Sequence, residues 1–181
     1  MLTKSDAVKL EVPPALSDRY VLRCVDQKFA LSQKGNPMIT LDWEIVGLPQ
    51  QDGTVATAIK RGNTTYQLAG LRVNRSYLTL VAGRAYNMFV EFQEKMGLST
   101  DIDEVNPDLS QYVGLLAEAV LASEQGDVLR KELSEEEKEA GKTLGDPITD
   151  KDGNELRYPN RAVVKQFVCR FDGEVPSDAQ F

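Results

Sequence analysis

The chain has no histidine among its 181 residues and only two cysteines. The absence of histidine excludes Ser-His-Asp and Cys-His catalytic mechanisms and zinc sites with histidine ligands. Cys24 and Cys169 lie far apart in strand-like runs, which is typical of small buried apolar residues. We therefore expect a binding protein, not an enzyme, without cofactor or metal. An enzyme that uses carboxylates and Mg²⁺ is the catalytic alternative.

Long apolar runs are also missing. No run approaches the roughly 18 apolar residues that a membrane span needs. The N-terminal residues lack the apolar core of a signal peptide. These absences predict a cytoplasmic protein with no membrane partner.

Acidic residues are absent from residues 53–90, although the whole chain carries 28 acids, 21 bases and a net charge of −7. Bases and rings alternate along this stretch: Lys60, Arg61, Tyr66, Arg72, Arg75, Tyr77, Arg84, Tyr86 and Phe89. Such interleaving suits a nucleic-acid strand, because bases stack on aromatic rings and phosphates bind Arg and Lys. The alternative is an ordinary strand-and-helix segment with core aromatics and solvated bases.

The acids are concentrated in two other places. Residues 99–139 hold twelve acids and three bases, and the last ten residues hold three acids and no base. This distribution indicates a basic body with acidic appendages. We predict an extended arm at 1–18, a domain at 19–171 with an acidic insertion at about 124–146, and an acidic tail at 172–181.

Strand patterns dominate the domain. Alternation in residues 37–46 places Ile39, Leu41, Trp43 and Ile45 on one face and Met38, Thr40, Asp42 and Glu44 on the other, as in a half-buried antiparallel strand. Other predicted strands are residues 19–31, a third strand at 54–60 and 64–68 broken at Gly62, and 161–171.

Helical patterns are few. Apolar residues recur at helical spacing in residues 82–96, Gly97 follows as a C-cap, and Phe89 falls on the core-facing stripe. Ser134 and Glu137 form a capping box, and Asp152-Gly153 predicts a hairpin turn. The pattern of residues 113–123 leaves helix and strand open.

These elements predict a mainly β protein with one or two helices. The favoured fold is an OB-like five-stranded β-barrel with a helical, acidic insertion. A β-sandwich or an open α+β sheet would give similar patterns.

A second basic and aromatic cluster precedes and begins the last strand. It contains Arg157, Tyr158, Arg161 and Lys165. If it flanked the same groove as Lys60, Arg61, Tyr66, Arg72, Arg75 and Tyr77, the two clusters together would bind single-stranded DNA. Trp43 is expected in the core.

Three segments of the chain are distinctive: the acidic tail ending in Phe181, Lys34-Gly35-Asn36-Pro37-Met38 and Leu41-Asp42-Trp43-Glu44-Ile45. In these segments the chain resembles phage and bacterial single-stranded DNA-binding proteins. The resemblance implies coating of single-stranded DNA in phage replication or recombination, in the host cytoplasm. It also implies that partner enzymes bind the tail through Asp172, Glu174, Asp178 and Phe181. This tail departs from the pattern in having fewer acids and ending Ala-Gln-Phe, and the insertion has no counterpart.

Other functions remain open. A phage virion or assembly protein could also combine a small β-domain with extended arms, because flexible ends serve either role. A homo-oligomer is compatible with both functions.

Overall fold

The computed structural model describes residues 19–158 and 161–176, except for the side chain of Arg61. The predicted arm at 1–18, and Asp178 and Phe181 of the predicted tail, lie outside the described residues. The described chain divides into two compact units. Residues 123–158 and 161 form the insertion unit, and residues 19–122 and 162–176 form the sheet unit.

The described residues are mainly β with two helices, as predicted. The strands are β1 (Arg19–Leu31), β2 (Pro37–Pro49), β3 (Val55–Ala56), β4 (Ala58–Arg61), β5 (Thr64–Gln67), β6 (Arg72–Thr79), β7 (Leu116–Glu124) and β8 (Arg161–Arg170). The helices are α1 (Arg84–Met96) and α2 (Glu135–Glu139), and Ser110–Tyr112 form a short 3₁₀ turn.

The main sheet has the order β3-β2-β1-β7-β8, with β6 also paired to β2. Strand β2 is antiparallel to β1, to β6 and, at its C-terminal end, to β3. Among the described residues no strand pair joins β6 to β8, so these two strands are edges and the sheet is open.

Strand β2 is more deeply buried than its alternation predicted. Ile39, Leu41, Trp43 and Ile45 are fully buried, which confirms the core face. The other face is not simply solvated, because Thr40 and Glu44 are also buried, at 5% and 7% exposure. Neighbours on both edges of β2 cover this face, and Arg23 on β1 approaches Glu44 to 3.9 Å.

The prediction of a third strand broken at Gly62 is wrong. Gly62 has a positive φ of 58° and lies in the two-residue loop of a separate hairpin, in which β4 pairs with β5. A two-residue hairpin loop needs residues that tolerate positive φ, and the Gly-Asn pair here meets that need.

Strand β6 had no counterpart in the sequence prediction. Its core residues Val73 and Leu78 are five positions apart, so they break the period of two. The cause is an irregularity in the strand pairing. Leu41 pairs with Ser76 and Trp43 pairs with Val73, so β6 has one more residue than β2 between these two pairs. A β-bulge of this kind moves later side chains to the opposite face.

Helix α1 forms where its periodicity predicted and covers the core with Phe89, Phe92 and Met96. Gly97 ends it in the left-handed conformation, at φ 63°. Phe167 on β8 completes an aromatic cluster, with ring centroids 5.2 Å from Trp43 and 4.9 Å from Phe92. No helix in the described ranges has the length and apolar character needed to cross a membrane.

The open question at residues 113–123 is settled as a turn followed by strand β7 from Leu116, which alternates with Ala117, Ala119 and Leu121 buried. The adjacent 3₁₀ turn is fixed to α1 by a buried polar contact. Tyr112 donates its hydroxyl hydrogen to the Gln93 amide oxygen at 3.0 Å. Burial raises the pKa of Tyr112 above that of an ordinary tyrosine, so this hydroxyl stays a donor.

The insertion unit contains the predicted capping box. The Ser134 hydroxyl accepts from the Glu137 N–H, and the Glu137 carboxylate accepts from the Ser134 N–H, at the start of α2. The predicted turn is also present, with Gly153 at φ 85°. The Asp150 carboxylate accepts from the N–H groups of Asp152 and Asn154, each at 2.9 Å.

We predict that the core contact of α1 is essential for stability. Phe89→Ala removes a fully buried ring and should lower the free energy of unfolding by about 3–5 kcal/mol. Met88→Ala is the matched control, because the adjacent Met88 is 61% exposed and its loss should cost no more than about 0.5 kcal/mol. Denaturant unfolding measures both, and equal effects would contradict the buried position of Phe89.

Candidate nucleic-acid interface

The centre of the candidate site is Asp42, at a place where both neighbouring strands are irregular. On β1 the pairing passes from Cys24↔Trp43 to Asp26↔Asp42, so β1 contains one extra residue. On β6 the corresponding extra residue falls between Val73 and Ser76. Bulges are common beside functional sites because they redirect side chains. Here they bring Asp26, Asp42 and Arg75 to the face of the sheet opposite the core, which we call the outer face.

Asp42 and Arg75 form a bidentate ion pair on the outer face. The Arg75 Nε lies 2.6 Å from Oδ1 of Asp42, and Nη2 lies 2.7 Å from Oδ2. This two-point geometry fixes the guanidinium plane as well as the distance. The hydrogen bonds from Arg75 lower the pKa of Asp42, with a smaller contribution from its positive charge. Arg75 is thus a cation with a set orientation.

An open pocket of about 630 Å³ surrounds this pair, and we call it the Asp42 pocket. Beside the buried Trp43, its polar and aromatic lining comprises Asp26, Asp42, Arg72, Asn74, Arg75 and Tyr77. Tyr77 leaves 59% of its surface exposed, and Arg72 is exposed without a salt bridge to any described residue. An exposed ring that shares a pocket with two guanidinium groups can stack one base while the guanidinium groups bind the adjoining phosphates.

Asp26 is the second carboxylate of the pocket. Its Oδ2 lies 2.8 Å from Nζ of Lys28, and its Oδ1 accepts from the Gln27 N–H at 3.0 Å. The hydrogen bond from Lys28 lowers the pKa of Asp26. Both carboxylates are therefore charged at neutral pH.

A second groove separates the edge strands β6 and β8, and α1 forms its floor. It encloses about 450 Å³ and is lined by Tyr77 and Arg75 on β6, by Lys165 on β8, and by apolar side chains that include Met88 and Phe167. The structure thus brings three of the sequence-predicted DNA-binding residues to one groove, namely Arg75, Tyr77 and Lys165.

The hairpin of β4 and β5 holds three further predicted residues. Lys60 is exposed and Tyr66 is 38% exposed, while the side chain of Arg61 lies outside the described residues. Tyr66 pairs with Ile59, and Lys60 pairs with Thr65, so Lys60 and Tyr66 point to opposite faces of the hairpin. The hairpin does not bring these two residues to one surface.

The second predicted cluster is divided between the two units. Lys165 belongs to the sheet unit, while Arg157, Tyr158 and Arg161 belong to the insertion unit. There Arg157 pairs with Glu155 at 3.2 Å, and Arg161 lies 3.5 Å from both Glu124 and Asp127. Tyr158 is 59% exposed. Both arginines thus have acidic partners within their own unit.

The described part of the tail is held by the sheet unit. Asp172 pairs with Arg170 at 3.2 Å, and the Glu174 N–H donates to the Gly53 carbonyl at 3.1 Å. Val175 packs against a small cluster formed by Val21, Val46, Val55 and Phe171. Residues 172–175 therefore pack against the sheet unit, while the side chain of Glu174 is exposed.

Sequence reasoning missed the carboxylates of this site. Asp42 was recognised only as part of the polar face of β2, and Asp26 and Asn74 carried no prediction. Asp42 gave little signal, because it fits the polar face of the alternating pattern of β2. Its partner Arg75 lies 33 residues away, and no spacing rule connects the two.

No protein-family model, curated protein or solved structure matches the chain.

We predict that Arg75 is the main cause of the lowered pKa of Asp42. Arg75→Gln should raise the pKa of Asp42 toward the ordinary range, because its main stabilising hydrogen bonds are lost. Arg72→Gln is the control, since Arg72 contributes only a weaker, unbonded charge effect. A titration of carboxyl ¹³C chemical shifts measures the pKa in each variant.

The sign of the pH effect follows from this lowering. A carboxylate whose pKa is lower in the folded state than in the unfolded state stabilises the folded protein at pH values above its unfolded-state pKa. This stabilisation is lost as the pH falls through the folded-state pKa. A pKa of Asp42 that is the same in wild type and Arg75→Gln would contradict the ion pair.

Proposed function

We propose that this protein binds single-stranded DNA through the outer face of β2 and β6. The observation that carries the proposal is the Asp42 pocket, where the exposed ring of Tyr77 lies with Arg72 and the oriented Arg75. Stacking on an exposed ring supplies affinity for any base. Arg72, and the part of the Arg75 guanidinium that Asp42 leaves unbonded, supply phosphate binding. No catalytic step is part of this function.

The strand order supports an OB-like fold as the frame for this site. Strands β6-β2-β1-β7-β8 make five strands in an open sheet, and α1 lies between β6 and β7 in the chain. OB folds are partly open five-stranded Greek-key barrels that bind oligonucleotides on the face of their second and third strands. In this correspondence those strands are β2 and β6. We propose the OB-like barrel on this ground, with the β6–β8 groove as its open seam.

The charge distribution is compatible with this binding mode. The net charge of −7 would repel DNA if it were spread evenly. Instead, residues 53–90, which contain all of β6, carry no acid. Because salt screens charges over about 10 Å in moderate salt, the charges close to the bound strand matter more than the net charge of the whole chain.

We further propose that the protein acts in phage replication or recombination and that partner enzymes bind its acidic tail. The described tail residues Asp172 and Glu174 are exposed, although the backbone here follows the sheet unit. Asp178 and Phe181 would supply the terminal acid and apolar anchor. Acidic segments with an apolar anchor fit basic pockets of partner proteins.

We predict that Tyr77 contributes more to DNA affinity than Tyr158. Tyr77→Ala should weaken binding of a labelled single strand by about 1–3 kcal/mol, the usual value of one stacked base. Tyr158→Ala is a matched comparison, because both rings are 59% exposed. Fluorescence anisotropy at low salt measures both affinities, and a larger loss for Tyr158→Ala would move the interface to the insertion unit.

We predict a steep salt dependence to which Arg72 contributes. Removing one phosphate contact with Arg72→Ala should reduce the slope of log affinity against log salt by about 0.7. Arg84→Ala is the control, because Arg84 is an exposed cation at the start of α1 outside the Asp42 pocket. If neither the full chain nor a chain ending at Pro176 binds single strands at low salt, the proposed function is wrong.

A further inference from the structure

Two carboxylates lie directly opposite each other in the proposed DNA-binding face. Asp26 and Asp42 are cross-strand partners on β1 and β2, and both line the Asp42 pocket. Like charges at opposed positions destabilise a sheet, and carboxylates also repel phosphates. Asp42 orients Arg75. A surface that binds only the DNA backbone has no comparable use for the carboxylate of Asp26.

Both carboxylates keep unused capacity to accept hydrogen bonds. Each oxygen of Asp42 accepts one bond from Arg75, at 2.6 and 2.7 Å, while a carboxylate oxygen has two lone pairs. Asp26 has a side chain that is 45% exposed, and its recorded contacts are one cation and one backbone N–H. Their ionised state makes both groups acceptors only.

The remaining lining suits a planar, nitrogen-rich ring. Tyr77 offers an exposed face for stacking, and Asn74 is an exposed amide that can donate or accept. The volume of about 630 Å³ falls within the usual range of small-molecule pockets, roughly 300–1,000 Å³. The polar edge of a base stacked on Tyr77 could then donate hydrogen bonds to the carboxylates of Asp26 and Asp42, which line the same pocket.

We propose that the Asp42 pocket selects nucleobases with an exocyclic amino group, cytosine above all among pyrimidines, over thymine and uracil. The inference rests on the proposed function and adds a base preference to it. Cytosine presents N4 amino hydrogens, which carboxylates of Asp and Glu accept in nucleic-acid complexes. Thymine and uracil present the O4 carbonyl at that position, which would face a carboxylate without a hydrogen between them.

The test compares two probes that differ at one edge of the base. Labelled oligo-dC and oligo-dU of about 15 nucleotides, a length within the range of OB-fold sites, are titrated with the full-length protein at neutral pH and low salt. We expect oligo-dC to bind about fivefold more tightly or better, the lower end of the discrimination from one good base contact. Equal affinities for the two probes would overturn the base preference and leave the proposed function intact, whereas failure of both to bind would overturn the proposed function itself.

Substitutions assign the preference to the pocket. Asp26→Asn should bring the ratio of the two affinities close to one, because an amide can donate to O4 as well as accept from N4. Asp42→Asn should act in the same direction, so a folding defect in one variant does not remove the test. Asp101→Asn is the charge-matched control, since Asp101 is an exposed carboxylate in the 99–110 loop. An unchanged ratio in both pocket variants would overturn the assignment.

Discussion

The double-sided pairing of β2 is the constraint on which the rest of the sheet unit depends. Its core face supplies four fully buried side chains, and its edges hold β1 and β6 in register. Because a strand in this position cannot leave polar groups unpaired, the charges on its other face need partners. Glu44 meets Arg23, and Asp42 meets Arg75. The ion pairs of the outer face are therefore a consequence of where β2 lies, and they pre-orient the groups that we assign to DNA.

The irregular ladder around Asp42 connects architecture with chemistry. Regular alternation would have placed successive side chains of β1 and β6 in fixed in-and-out order. One extra residue on each neighbour changes that order at the same level of the sheet, so that an acid from β1, an acid from β2 and a base from β6 share one pocket. The cost is two opposed carboxylates, and a nearby cation offsets the charge of each.

Local sequence patterns predicted much of the fold but few of the residues of the candidate site. The strands β1, β2 and β8, the helix α1 and the capping box of α2 were predictable, because each is specified by periodicity or by residues a few positions apart. Strand β6 escaped because its bulge disrupts the period of two. Gly62 was predicted to interrupt a single strand, whereas with its positive φ it lies in the turn between β4 and β5. The link between Asp42 and Arg75 depends on strand pairing, which sequence spacing does not encode. Arg157 and Arg161 looked like free cations, but the fold supplies acids to both.

Trp43 is the single tryptophan of the chain, and it has no exposed surface. Its ring packs against Phe167 on one edge strand and Phe92 on α1, while its backbone pairs with Val73 on the other edge strand. A ligand on the outer face cannot reach this indole ring. Its emission therefore reports on the packing of the core between β2, β8 and α1.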